Sequence, residues 1–226
     1  AVLSGLFLTA IGVPFAADIL EAMSTPEDVL PLATKYMQIY FLGMTLNLVY
    51  TFCASMVRAA GDTQTPLLIL SAAGVLNVIL NIVFVKGCGM NVDGVAWATI
   101  IAQGLSAVAI VYVMTRRTDM VRLHLKKLRV YKEPLMKMLR IGIPAGIQNA
   151  IFAVANLFIQ RSVNYFDTVM VNGNSAASNA DTLIYNMMSA FYTACSTFMG
   201  QNFGAGRHDR VMKSYFVSLT YSFAAG

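Results

Sequence analysis

The sequence predicts an all-α fold, a polytopic transmembrane helix bundle, and three observations carry that prediction. Hydrophobic residues make up 57% of the 226 and charged residues only 12%, whereas soluble domains carry about 25% charged residues. The charge is also segregated. Residues 38–57, 66–85, 94–115, 141–160 and 182–206 contain no Asp, Glu, Lys, Arg or His. A hydrocarbon core of about 30 Å takes about 20 helical residues at about 1.5 Å each, and each of these runs reaches that length. Finally, the runs lack the polar stripe that a helix facing water requires, which argues against a large soluble helical core.

Taken in order, the elements are helices over 1–23, 34–57, 65–87, 93–116, 138–166, 176–203 and 209–226. The first contains Pro14, which removes one backbone hydrogen bond and can kink the helix. The third opens after Gly61, which permits a turn, with Pro66 in its first turn. The fifth carries Pro144 and the pair Gly142 and Gly146, whose small-xxx-small spacing permits close helix approach. Residues 1–17 form an uncharged stretch without an initiating Met, and the uncharged stretch 214–226 is too short to cross a bilayer alone. Both end helices are therefore read as incomplete, and function is expected to belong to a longer parent protein. The start is not basic and the apolar runs recur along the chain, so a signal peptide does not explain them. The organisation expected is 1–115 as a first helix group, 116–140 as a polar connector and 141–226 as a second group.

Orientation follows from where the basic residues fall, since Lys and Arg favour cytoplasmic loops. Nine lie in 116–140 (Arg116, Arg117, Arg122, Lys126, Lys127, Arg129, Lys132, Lys137 and Arg140) against Asp119 and Glu133. Arg207, Arg210 and Lys213 in the turn 207–213 face only Asp209. The loop 18–37 instead holds Asp18, Glu21, Glu27 and Asp28 against Lys35, and the loop 161–181 holds Asp167 and Asp181 against Arg161. Alternating helices put 58–64, 116–140 and 204–213 on one side, the cytoplasmic one. Leu123, Leu125, Leu128, Leu135 and Met138 alternate with the connector's charges. It reads either as an amphipathic linker on the anionic inner leaflet or as a solvated connector. The net charge of +5 does not imply nucleic acid, because Tyr131 is the only aromatic residue among the connector's charges.

Polar groups in hydrocarbon mark packing contacts or pathways. Asn77 and Asn81 sit four residues apart on one helix face, and Thr99 and Gln103 repeat that spacing in the next helix. Gln148, Asn156 and Gln160 recur at offsets of eight and four. As a set they line an aqueous cavity on one reading and make interhelical hydrogen bonds on the other. Catalytic constellations are missing from the sequence. His124 and His208 lie in basic turns, no acidic pair falls inside an apolar run, and no phosphate-binding glycine loop precedes a Lys. The driving force for any transport would be an ion gradient or a partner. Cys53, Cys88 and Cys195 show no metal spacing; Cys53 and Cys195 read as small packing residues. No cofactor or metal is expected.

Motifs in five stretches resemble one known family. Arg58-Ala-Ala-Gly-Asp-Thr-Gln-Thr-Pro66 is similar to the Arg-x-x-Gly-Asp-Thr-Lys-Thr-Pro loop of the multidrug and toxic compound extrusion (MATE) family. Asn77-Val-Ile-Leu-Asn81 and Gly94-Val-Ala-Trp-Ala-Thr-Ile-Ile-Ala-Gln103 resemble its next two helices. Ile141-Gly-Ile-Pro-Ala-Gly-Ile-Gln148 resembles the start of its second bundle, and Gln201-Asn-Phe-Gly-Ala-Gly-Arg207 its Gln-Asn-x-Gly-Ala-Gly turn. The motifs occur in family order and cover nearly all of the chain. The resemblance implies helices three to nine of a twelve-helix protein, multi-pass in a bacterial cytoplasmic membrane and joined by a cytoplasmic connector at 116–140. It implies export of small organic, often cationic solutes in exchange for Na⁺ or H⁺ by rocking of two bundles about a central cavity. The partners expected are those solutes and the lipid bilayer, with no nucleic acid and no obligate protein partner.

The resemblance also implies site residues. Asn77 and Thr99 match an ion site that joins an Asp of helix one to an Asn-x-x-x-Asp pair and a Thr. Asn81 stands where many members have the Asp, which removes a formal charge. Phe152 and Ala153 occupy the region where another branch places a Glu, so that site is absent. Asp181, expected at the external start of a helix, resembles an acidic position in a bacterial subgroup that shares the Gln148 and Asn156 pattern. Gln103, Gln148, Asn156, Gln160 and Asp181 are the expected substrate-cavity residues. The rivals are a lipid-linked oligosaccharide flippase of the same superfamily and, from a different class, a membrane-embedded enzyme.

Overall fold

The computed structural model describes residues 1–22, 29–118, 121–124, 129–163 and 168–225. Glu27, Asp28, Asp119, Leu125, Lys126, Lys127, Leu128 and Asp167, singled out above, lie outside the described residues, as do the side chains of Gln160 and Arg161. The described residues form helices without a strand. These are α1 (Val2–Gly12), α2 (Ala16–Ala22), α3 (Leu30–Ala59), α4 (Gln64–Ile82), α5 (Val92–Arg116), α6 (Lys132–Val163), α7 (Thr168–Gly204) and α8 (His208–Ala225), with a π-helical turn, Val83–Gly87, closing α4. Four segments are long and apolar enough to cross a membrane: Leu30–Ala59, Gln64–Gly87, Val92–Arg116 and Lys132–Asn156. The charge-free run 182–206 is not among them, because Asn186, Ser189, Thr193, Ser196, Thr197, Gln201 and Asn202 make it too polar.

Several helix boundaries differ from the sequence reading, each for a local reason. The helix expected over 1–23 is interrupted at Val13–Phe15, around Pro14, which has no N–H to continue the ladder. Helix α3 starts at Leu30 rather than 34, with Pro31 in its first turn, where a missing N–H leaves nothing unsatisfied. Helix α6 starts at Lys132 rather than 138 and so takes in the end of the connector. Pro134 sits in its opening turn, and Glu133 accepts a 2.8 Å bond from Lys137 one turn on. Pro144 lies inside α6 without ending it.

Helix α7 starts at Thr168 rather than 176. The stretch leading to Asp181 is polar, but it has no proline and includes Ala176, Ala177 and Ala180, so nothing in it stops a helix. Asp181 therefore lies well inside α7, exposed, and neither its expected place at a helix start nor a capping role for it holds.

The chain divides into two compact units, Ala1–Lys126 and Lys127–Gly226. In the first, α5 is the central helix. Ala96, Ala98, Ile100, Ala102, Ala107, Ile110 and Met114 are buried along its length, and the alanines among them let neighbouring helices come close. One core cluster joins Ile39, Ala96 and Ile100. A second joins Val57, Ile110 and Met114, with Val121 and Leu123 packed against it, so the chain folds back beneath the end of α5. Glycines set the crossings: a β-carbon at Gly5 would stand 2.5 Å from the Thr45 Cα, one at Gly12 2.2 Å from the Phe41 ring, and one at Gly43 2.6 Å from Ile100. Beside these, the Thr9 hydroxyl donates a 2.8 Å bond to the Phe41 carbonyl.

Gly142 and Gly146, whose spacing permits a close approach, have no close neighbour among the described residues, since a β-carbon at either would meet nothing within 4 Å. In the second unit α7 packs on α8 across a tight turn in which Gly206 takes φ 69°. The Arg207 N–H returns there to the Asn202 carbonyl at 2.9 Å, a helix-ending arrangement that favours glycine.

Candidate functional site

The polar site of the first unit is built on two neighbouring helices. Gly61, at φ 96°, ends α3, and the Asp62 N–H returns to the Val57 carbonyl at 3.2 Å. The chain reverses and α4 begins. Beyond the π-helical turn, Gly89 at φ 65° allows the second reversal into α5. The hairpin so formed sets Asn77 and Asn81, one turn apart on α4, against Thr99 on α5. The Asn81 amide donates to Asn77 Oδ1 at 3.1 Å. The Asn77 amide donates to Thr99 Oγ1 at 3.4 Å. Thr99 in turn donates its hydroxyl proton to the Val95 carbonyl at 2.9 Å.

The direction of these bonds matters. Each side chain donates one bond to its neighbour or to the backbone, which leaves oxygen lone pairs, along with the second N–H of each amide, as the remaining capacity of the cluster. Asn81 Oδ1 is buried and has no hydrogen-bond partner. A buried acceptor without a donor is unfavourable by about 1–3 kcal/mol, and an N–H, an O–H or a cation beside it would remove that cost. All three oxygens are uncharged. Gln103, one turn along α5, is half-buried and is not joined to the trio.

The three residues that the resemblance grouped are therefore neighbours on α4 and α5. The second set is placed differently. Gln148 and Asn156 lie on α6, both exposed, and Gln160 lies on the same helix with its side chain outside the described residues. Asp181 is exposed on α7. Among the described residues no hydrogen bond joins Gln148, Asn156 and Asp181 to one another.

Three features were missed in the sequence. Asp62 accepts bonds from the Thr65 N–H at 3.0 Å and the Thr65 hydroxyl at 2.7 Å and also pairs with Arg117. Lys35 pairs with Asp93. A cavity of about 360 Å³ between α7 and α8 is walled by Tyr185, Tyr192 and Tyr215 with Ser189 and Ser222. The aromatic spacing from 185 to 192, seven residues, was a legible signal for the third.

Comparisons with known proteins agree with this fold. A model of the MatE family matches residues 1–83 and 144–226. The probable multidrug resistance protein YpnP of Bacillus subtilis is 31% identical over 214 residues, covering 91% of this chain and 47% of that protein. An FAD transporter of Shewanella oneidensis is 25% identical over 222 residues, covering 95% and 48%. The multidrug export protein MepA of Staphylococcus aureus is 26% identical over 165 residues, covering 71% and 37%. The chain spans about half the length of the first of these relatives.

Among solved structures, a MOP superfamily transporter from Pyrococcus furiosus superposes with a TM-score of 0.90 at 19% identity, covering 99% of this chain and 50% of that one. An outward-facing multidrug resistance MATE family transporter gives 0.89 at 20%, with the same coverage. At such identities these likenesses show the fold.

Proposed function

The chain belongs to the MatE family, the multidrug and toxic compound extrusion family its motifs resemble, and from that premise we propose that the complete protein is a secondary active transporter. It exports organic, often cationic solutes through a bacterial cytoplasmic membrane, exchanging them for a cation by alternating access. The observation that carries this reading is the oxygen cluster of Asn77, Asn81 and Thr99, with the buried Asn81 Oδ1 left without a partner. A polar cluster inside membrane helices is retained where it pairs internally or serves a pathway, and this one pairs incompletely.

Of Na⁺ and H⁺, the cluster favours Na⁺. A proton needs a group that titrates near neutral pH, and carboxamides and hydroxyls do not, whereas a hard cation is bound by neutral oxygens. Gln148, Asn156 and Gln160 on α6 orient the solute by hydrogen bonds, without the desolvation penalty of a fixed buried charge. Asp181 on α7 attracts cations, and Gln103 contacts solute in the first unit. The relatives named above carry drug and flavin names, which lend the oligosaccharide flippase no support.

The test is efflux of a lipophilic dye cation by the complete protein in proteoliposomes. An imposed Na⁺ gradient is expected to drive efflux at fixed pH. Efflux driven equally by a pH gradient without Na⁺ would overturn the choice of ion, and no efflux of any organic solute under either gradient would overturn the transport reading.

A further inference from the structure

We infer that Arg117 is a positioning residue for the oxygen cluster, acting through Asp62; this rests on the reading of that cluster as the ion site. The observations lie at the end of the first unit remote from the cluster. Helices α4 and α5 carry the three cluster residues, and the π-helical hairpin joins them at one end. At the other end their tie is the Asp62–Arg117 pair. Asp62 stands just before α4 and holds its first turn through the Thr65 N–H and hydroxyl. Arg117 directly follows α5, and its side chain is only 18% exposed. The ends are packed as well as paired: the Tyr50 hydroxyl donates to the Pro66 carbonyl at 2.9 Å, the Leu123 N–H to the Met114 carbonyl at 3.0 Å, and Val121 and Leu123 cover the core.

Two rods joined at both ends have a fixed axial register. The pair lies roughly 25 Å from the cluster, at about 1.5 Å per residue. The Asn77–Thr99 contact of 3.4 Å is already near the limit of a hydrogen bond, and a slip of about one residue rise, 1.5 Å, breaks it. Arg117 therefore sets how the cluster's oxygens face one another without touching the ion.

Arg116 supplies an internal control. It carries the same charge one position earlier but is exposed and lies over the Tyr112 ring at 5.4 Å, whereas the ion pair with Asp62 is made by Arg117.

The experiment measures the Na⁺ concentration that half-saturates dye efflux by the complete protein, with melting temperature recorded for each variant. Arg117→Ala and Asp62→Asn, the latter keeping an oxygen for the Thr65 N–H, are each expected to raise that concentration about fivefold or more, the low end of coupling between distant sites. Arg117→Lys is expected to recover part of the shift, and Arg116→Ala to show none. Asn81→Leu tests the site itself. Once it has altered the Na⁺ dependence, adding Arg117→Ala is expected to shift it little further, because two residues acting on one site are not additive. If Asn81→Leu alone leaves the Na⁺ dependence unchanged, the ion-site reading fails and this inference falls with it. If Asn81→Leu alters it while Arg117→Ala matches Arg116→Ala, or adds its full shift on top, the site stands and the positioning role of Arg117 is overturned.

Discussion

Gly43→Ala is a one-atom perturbation whose size follows from the packing of α3 on α5. A β-carbon at Gly43 would stand 2.6 Å from Ile100 Cγ1, 3.2 Å from its Cδ1 and 3.4 Å from its Cβ. Ordinary contact begins at 3.4 Å, so the nearest atom must retreat by about 0.8 Å. Ile100 is 8% exposed and wedged between Ile39 and Ala96, which leaves rotation of its side chain little room and makes α5 itself move. Overpacking of this kind destabilises by about 1–3 kcal/mol.

The neighbour of Ile100 is Thr99, whose 3.4 Å contact with Asn77 does not survive a shift of that size. Gly74→Ala on α4 is the matched control, because nothing lies within 4 Å of its β-carbon. Thermal unfolding of the detergent-solubilised complete protein is the assay, followed by Na⁺-dependent efflux. Gly43→Ala is expected to lower the melting temperature and raise the Na⁺ requirement, while Gly74→Ala holds or slightly raises the melting temperature and leaves the Na⁺ requirement unchanged. Equal melting temperatures for the two variants would refute the argument that this glycine sets the α3–α5 crossing.

Two further outcomes are expected. A single cysteine at position 122, placed in a cysteine-free version of the complete protein, is expected to react with a membrane-impermeant thiol reagent only after cells are opened; labelling in intact cells would reverse the orientation drawn from the basic residues. Asp181→Asn is expected to weaken efflux of cations more than of neutral solutes with no loss of stability, since Asp181 is exposed inside α7 and caps nothing; equal weakening for both classes would remove it from cation selection.

The helices and the Asn77–Asn81 face were legible because both depend on short spacing, and the family resemblance added Thr99. Four of the five charge-free runs fall on helices apolar enough to cross a membrane, and an offset of four from Asn77 to Asn81 fixes a common face whatever surrounds them. Opposing Thr99 to them needed only a tight hairpin, which Gly89 supplies. The pairs Asp62–Arg117 and Lys35–Asp93 were not legible, because each joins residues more than 50 positions apart, and sequence gives no distance across helices.

Glycines misled for a related reason. Gly142 and Gly146 have the spacing of a contact, but the contacts formed at Gly5, Gly12 and Gly43, where a facing helix decides the matter. Asp181 was misplaced because a polar, alanine-containing stretch lets a helix continue, and polarity alone was read as a loop.

On the proposed function, Asn77, Asn81 and Thr99 hold the coupling ion. Equilibrium binding of radioactive sodium to the purified complete protein, wild type against Asn81→Leu, addresses it without transport or substrate. Saturable binding by the wild type and its loss in Asn81→Leu, with the melting temperature of the variant unchanged when sodium is absent, is the predicted result. Equal sodium binding by the two proteins would contradict the account and leave the trio as a packing contact between α4 and α5.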